Sequence, residues 1–139
     1  MSARTKILVV EGNATQELLT LLAIKNSGIE CDVQVVRDGI EACLVLFDRT
    51  IPSPTLVLME LNLPKLNGCE VLCRIRNHFE TKVMPVIIFT ESNSISDIEH
   101  CLDLHANSYV VKDKDLERNE TRLKLLLYYW VAVNQNVNS

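Results

Sequence analysis

The sequence has no surplus of basic residues. Fourteen Lys and Arg face eighteen Asp and Glu, for a net charge of -4. No Lys/Arg cluster reverses that balance, so the electrostatic footprint of a nucleic-acid binder is missing. A long apolar run is also missing. The one that follows Met1-Ser2-Ala3-Arg4-Thr5-Lys6 ends at Glu11, too short for a signal peptide or a membrane span. No membrane partner is expected, and the chain is expected to be cytoplasmic. No CxxC occurs. Cys69 and Cys73 stand one helical turn apart without a matching His pair, and Cys31, Cys43 and Cys101 complete an odd number. These thiols are read as reduced, small core residues. His78, His100 and His105 are scattered and do not suggest a ligand set. Repeats, linkers and low-complexity stretches are absent, so residues 1–139 are expected to form one domain. Its core should run from about 5 to 133, with a polar tail, 134–139, that frays.

What is present is an alternation. Hydrophobic residues make up 47% and charged residues 23%, ordinary usage for a globular domain with its own core. Ile7-Leu8-Val9-Val10 predicts a buried strand. Asn13 then opens a helix with Gln16 as capping-box partner. Leu18, Leu19, Leu22 and Ala23 give it an apolar stripe, and Gly28 stops it. Val33–Val36 predicts a second strand. Asp38 caps a second helix carrying Ala42, Cys43, Leu46 and Phe47. Leu56-Val57-Leu58-Met59 follows the Pro52/Pro54 loop as a third strand. After the Pro64–Gly68 loop, Val71, Leu72 and Ile75 mark a third helix. Val86-Ile87-Ile88-Phe89 is the fourth strand. Ser94 or Ser96 caps a short helix with Ile98 and Leu102. Tyr109-Val110-Val111 is the fifth strand, and one long helix from about Leu116 to Val133 closes the series.

Continuously apolar strands separated by helices imply a parallel sheet covered on both faces. The expected fold class is α/β, a flavodoxin-like, doubly wound (βα)5 sheet with strand order 2-1-3-4-5. The functional site of such a sheet lies at the carboxyl ends of its strands. Four polar residues fall there: Glu11 after strand one, Glu60 after strand three, Thr90 after strand four and Lys112 after strand five.

Here a family resemblance enters. Leu58-Met59-Glu60-Leu61-Asn62-Leu63-Pro64-Lys65-Leu66-Asn67-Gly68 resembles the acceptor loop of response-regulator receivers, and the likeness runs from Ile7 to about Val133. It implies that Glu60 stands where the family has the Asp that takes phosphate from a kinase histidine. Thr90 matches the hydroxyl that binds the phosphoryl group, Lys112 the lysine that neutralises it, and Tyr109 the switch aromatic. Asn62 matches the residue whose carbonyl ligates Mg2+. The stretch Asp103-Leu104-His105-Ala106-Asn107-Ser108-Tyr109, with Tyr128-Tyr129-Trp130, resembles single-domain regulators paired with bacteriophytochrome-type histidine kinases. The implied partner is therefore a histidine kinase of that type.

The departures bear on chemistry. The family usually carries two adjacent acids after strand one, and here Gly12 follows Glu11. Mg2+ wants near-octahedral oxygen ligation. With Glu11, Glu60 and the Asn62 carbonyl as the remaining ligands, metal binding should be weak or lost, and no other cofactor is expected. Glu60 is one methylene longer than Asp. That displaces its nucleophilic oxygen by about 1 Å, a misplacement that can cost about a hundredfold in rate. Lys112 is followed by Asp113, not the usual Pro. The expectation is a divergent, stand-alone receiver, not an enzyme, that signals by protein contact without stable phosphorylation. Glu60 is expected to pair with Lys112 in a partly solvated site and to reach toward Thr90. The alternatives are a conventional phosphorelay receiver phosphorylated slowly, and a flavodoxin-like cofactor carrier. No Gly-rich or Ser/Thr-rich phosphate loop follows strand one, which argues against the latter.

A homodimer through the last helix is also expected. Leu123, Leu126, Leu127, Trp130 and Val133 follow helical spacing and should face the sheet. Leu125, Tyr128, Tyr129 and Val131 lie off that stripe and would form the interface.

Overall fold

The computed structural model describes residues 5–135. The chain alternates β1 (Lys6–Val10), α1 (Ala14–Asn26), β2 (Asp32–Val36), α2 (Gly39–Leu46), β3 (Leu56–Met59), α3 (Gly68–Asn77), β4 (Val86–Thr90), α4 (Ile95–Asp103), β5 (Ser108–Val111) and α5 (Leu116–Leu127). The five strands form one parallel sheet in the order β2-β1-β3-β4-β5. Of the tail expected to fray, residues 136–139 lie outside the described residues.

Side-chain alternation along the strands divides the core in two. Leu8, Val10, Val57, Met59, Val86 and Ile88 point to the face covered by α2, α3 and α4, and meet Ala42, Leu46, Val71, Leu72, Ile75 and Cys101. Ile7, Val9, Leu56, Leu58, Ile87 and Phe89 point to the opposite face, where α1 and α5 supply Ala23, Ile24, Leu123 and Leu127. Strands buried on both sides have no polar face, which is why they read as unbroken apolar runs.

The helix starts follow their caps. Asn13, Asp38, Asn67, Ser94 and Asp115 each accept a backbone N–H from the first turn that follows, satisfying donors that the helix itself leaves free. Gly28 has φ +75, the left-handed geometry that ends a helix at little cost for glycine.

Three expectations need correction. In α1 the buried positions are Thr20, Ala23 and Ile24, while Leu18 and Leu22 are exposed. Leu22 and the half-buried Leu19 line, with Thr20 and Ala23, a cavity between α1 and α5. In α4 the buried residue is Cys101, and Leu102 is exposed. The final helix is not uniform. α5 ends at Leu127 and continues as a π-helical turn, Tyr128–Val133, closed by the Asn134 N–H to the Tyr129 carbonyl at 2.6 Å.

That last segment reverses two assignments. Val131, placed on the outer surface by sequence, packs with Trp130 and Leu126 against the core. Val133, placed inward, is exposed. The π turn changes the angular step after Leu127, so the α-helical spacing that placed Val133 inward and Val131 outward no longer applies.

The stretch around Asn107 also has a structural task. Its Oδ1 accepts the Val86 N–H and one Arg76 guanidinium N–H, both at 2.8 Å. Arg76 further donates to the carbonyls of His105, Lys82 and Met84. One side chain of α3 thereby fastens the turn into β5 and the entry to β4, at the sheet edge away from the carboxyl ends.

Candidate functional site

Glu11, Glu60, Thr90 and Lys112 are all buried where the strands end. Backbone bonds just beyond the sheet hold them in line: Glu11 N–H to Val36 O, Glu60 N–H to Val10 O, and Lys112 N–H to Thr90 O. Lys112 Nζ donates to Glu11 Oε2 at 2.8 Å and to Glu60 Oε1 at 3.2 Å. It also lies 5.4 Å from the centre of the Phe89 ring.

The expected Glu60–Lys112 contact is present, but not the expected solvation. The three side chains are only 2% (Lys112), 6% (Glu11) and 9% (Glu60) exposed. Formally the group holds two negative charges against one positive. The remaining carboxylate oxygens take backbone donors. Glu11 Oε1 accepts the Asn13 N–H at 3.1 Å. Glu60 Oε2 accepts the N–H groups of Leu61 at 2.6 Å and Asn62 at 3.4 Å. Asn62 thus meets Glu60 through its backbone N–H. The described contacts of Glu60 run to Lys112 and to its own loop, not toward Thr90.

The Thr90 hydroxyl accepts the Ser92 N–H at 3.4 Å. Tyr109 packs against the core and donates its hydroxyl to the Ser92 carbonyl at 2.9 Å. Burial moves that phenol above its ordinary range. Ser92 in turn donates its side-chain hydroxyl to Asp97 in the first turn of α4 at 2.5 Å. Ser92 and Asp97 are the junction between Tyr109, Thr90 and α4, and the sequence reading did not single them out. The available signal was an acid in the first turn after the Ser94 cap, five residues past Ser92.

Asp113, in the position where Pro was expected by resemblance, organises the next loop. Its carboxylate accepts the Asp115 N–H, which is the main reason its pKa lies below the usual carboxylate range; Arg118 and Arg122 add to this.

Two carboxylates, Glu11 and Glu60, are the acids that the strand ends bring to the site. Among the described residues no three carboxylate, His or Cys side chains gather as ligands, and both carboxylates at the site are already bonded to Lys112. Gly12 brings no carboxylate and little space. A Cβ built there would stand 2.7 Å from Pro64 Cδ and 3.0 Å from the Arg37 carbonyl oxygen, closer than carbon atoms pack without displacement.

On the α5 side, Leu125, Tyr128 and Tyr129 are 67%, 60% and 50% exposed. Val131, expected beside them, belongs to the domain's own core.

Comparison with known proteins agrees with this fold. Residues 7–124 match the response regulator receiver domain family. Response regulator Rcp1 of Synechocystis sp. is 34% identical over 115 residues, covering 80% of this chain and 78% of that protein. The crystal structure of the phosphorylated cyanobacterial phytochrome response regulator RcpA superposes with a TM-score of 0.90 at 34% identity, over 97% of this chain and 99% of that one. The Mn2+-bound form of Rcp1 gives 0.88 at 29% identity, over 95% and 98%. Among the described residues, no helix is long and apolar enough to cross a membrane. With five parallel strands in the order 2-1-3-4-5, acids at the ends of β1 and β3, and a threonine and a lysine at the ends of β4 and β5, the chain belongs to the response-regulator receiver domain family.

Proposed function

We propose that this receiver signals by protein contact from a site that neither binds a divalent metal strongly nor keeps a phosphoryl group. The carrying observation is the position of Lys112 Nζ, bonded at once to Glu11 and to Glu60. Phosphoryl transfer needs in-line positioning of the nucleophile and a cation that neutralises developing charge on the phosphoryl oxygens. Here the nucleophile's position is taken by a longer carboxylate whose oxygens are both engaged, and the cation nearest to it is an ammonium already shared by two acids. A carboxylate supplies about one negative charge where a phosphoryl group brings nearly two. Glu60 with Lys112 therefore stands as a partial, built-in counterpart of the phosphorylated state. Tyr109, turned inward onto Ser92, is compatible with that reading.

The partner proposed is a histidine kinase of bacteriophytochrome type, on the strength of the likeness to phytochrome and bacteriophytochrome response regulators. A second copy of the chain is proposed to join through Leu125, Tyr128 and Tyr129, whose aliphatic and aromatic surface is otherwise left to water. Residues 5–133 are taken as one receiver domain.

Incubation with acetyl phosphate and Mg2+, followed by intact-mass measurement, tests the proposal. No phosphoryl adduct is expected. A stoichiometric adduct mapped to Glu60 would overturn it in favour of a slow conventional receiver. The double variant Glu60→Asp, Gly12→Asp should gain labelling, and either change alone should gain less, because both act on one transition state.

A further inference from the structure

Cys69 opens α3, one residue past Gly68, and Cys101 lies in α4. Their sulfurs are 3.8 Å apart, in a contact where either thiol can donate. Their burial is unequal: Cys101 is 0% exposed, while Cys69 is only half-buried. The other thiols have different surroundings. Cys73 Sγ accepts from the Asn77 amide, Cys43 lies on the buried side of α2, and Cys31 packs on the opposite face of the sheet. A disulfide has its sulfurs about 2.05 Å apart. Closing the gap requires the two sulfurs to move toward each other by about 2 Å.

We propose that Cys69 and Cys101 form a hydroperoxide-sensitive disulfide site that joins α3 to α4 beside the acceptor loop. The accessible sulfur reacts first. Cys69 attacks the terminal oxygen of a hydroperoxide, the O–O bond breaks, and the products are a sulfenic acid at Cys69 and an alcohol, or water from hydrogen peroxide. Cys101 then attacks the Cys69 sulfur. The S–S bond forms, the S–O bond breaks, and the departing hydroxide takes the Cys101 proton as water. In total two thiols lose two electrons and two protons, and one peroxide is reduced.

The chemistry sets the tempo. Burial raises the pKa of Cys69, and burial together with the Cys69 neighbour raises that of Cys101 to about 12. Since the thiolate is the reacting form, formation is slow and answers sustained oxidant rather than a pulse. The location gives the bond a consequence. Gly68, just before Cys69, packs so close to the acceptor loop that a Cβ there would stand 2.5 Å from the Glu60 carbonyl oxygen. α4 holds Ser92 through Asp97 and so reaches Thr90 and Tyr109. A Cys69–Cys101 bond ties the Glu60 loop to the Thr90 loop.

The experiment uses the full chain, reduced, then held with a molar excess of hydrogen peroxide. Expected are loss of two hydrogens from the intact mass, a linked peptide containing Cys69 and Cys101, reversal by dithiothreitol, and slower amide exchange across residues 95–103. Cys69→Ser, at a half-buried position, should fold and lose the linked peptide. Cys101→Ser should let Cys69 proceed to the sulfinic acid. Recovery of Cys101 as a free thiol while wild-type Cys69 becomes sulfinic acid would overturn the proposal. So would a bridge mapped through Cys31, Cys43 or Cys73, or unchanged exchange in α4 after the bond has formed.

Discussion

Replacing Lys112 by Met tests the buried charge group most directly. Methionine keeps length and apolar volume but removes the ammonium, so two carboxylates that are 6% and 9% exposed lose the cation they share. Breaking a buried pair from one side costs about 3–5 kcal/mol, because an uncompensated charge is left behind. An exposed pair would lose only about 0–1 kcal/mol. A domain of this size has a total stability of about 5–15 kcal/mol, so the expected loss is a large share of it. Urea unfolding followed by circular dichroism and by the fluorescence of Trp130 measures the change. The midpoint should fall with little change in the slope. The control is the same substitution in a Glu11→Gln, Glu60→Gln background, where the ammonium is itself the stranded charge, so removing it should cost nothing or raise stability. A loss below about 1 kcal/mol in the wild-type background, or an equal loss in both backgrounds, would refute the claim that burial makes these charges depend on one another.

Further expectations follow from the same geometry. Titration with millimolar Mg2+ should leave the amide resonances of residues 60–62 in place, and saturation well below millimolar would contradict this. Gly12→Asp alone should lower stability by about 1–3 kcal/mol through crowding against Pro64. Adding Pro64→Ala should recover part of that loss in the same urea assay. In light scattering, the chain should show a dimer mass that Tyr129→Ala reduces without unfolding the domain, whereas Leu127→Asp and Val131→Asp should damage the fold itself; a monomer at micromolar concentration would end the dimer proposal. Cys101, whose thiol pKa rises in the fold from 9.0 to about 12, should contribute stability that is fully present below pH 9 and declines as pH climbs toward 12, since the unfolded chain releases that proton first. The stability gap between wild type and Cys101→Ala should therefore narrow across that window, and a constant gap would count against it.

Much of this was legible because parallel strands covered on both faces leave little ambiguity. Leu56-Val57-Leu58-Met59 has no polar face to hide, so its burial and the position of Glu60 just beyond it follow together. Helix starts were legible for a similar reason: Asn13, Asp38 and Ser94 have an identifiable chemical task. Helix faces were harder. On α1 the leucine pattern points to Leu18 and Leu22, but which side of the helix is buried depends on how it lies against α5 and the sheet, a property of the packed elements that neither helix shows alone. The change to π geometry after Leu127 carries no residue signal in Tyr128-Tyr129-Trp130. Strand order placed Glu11 and Lys112 at the same end of the sheet without revealing their contact. The sequence pairs Lys112 with Glu60 alone, whereas in the structure it bonds Glu11 as well, because the distance across β3 and β4 depends on rotamers. The Cys69–Cys101 contact depends likewise on how α3 and α4 lie against each other, and spacing within α3 directed notice to Cys73 instead.

The ion group of Glu11, Glu60 and Lys112 is built entirely from the chain's own side chains. A phosphoryl mark is written and erased, and its lifetime sets how long a message lasts. An anion and a cation that are both encoded arrive with translation and leave with proteolysis. For a receiver working this way, the amount of protein becomes the message, and its memory is as long as its half-life. Control then passes to synthesis, to degradation, and to competition among partners for the same surface.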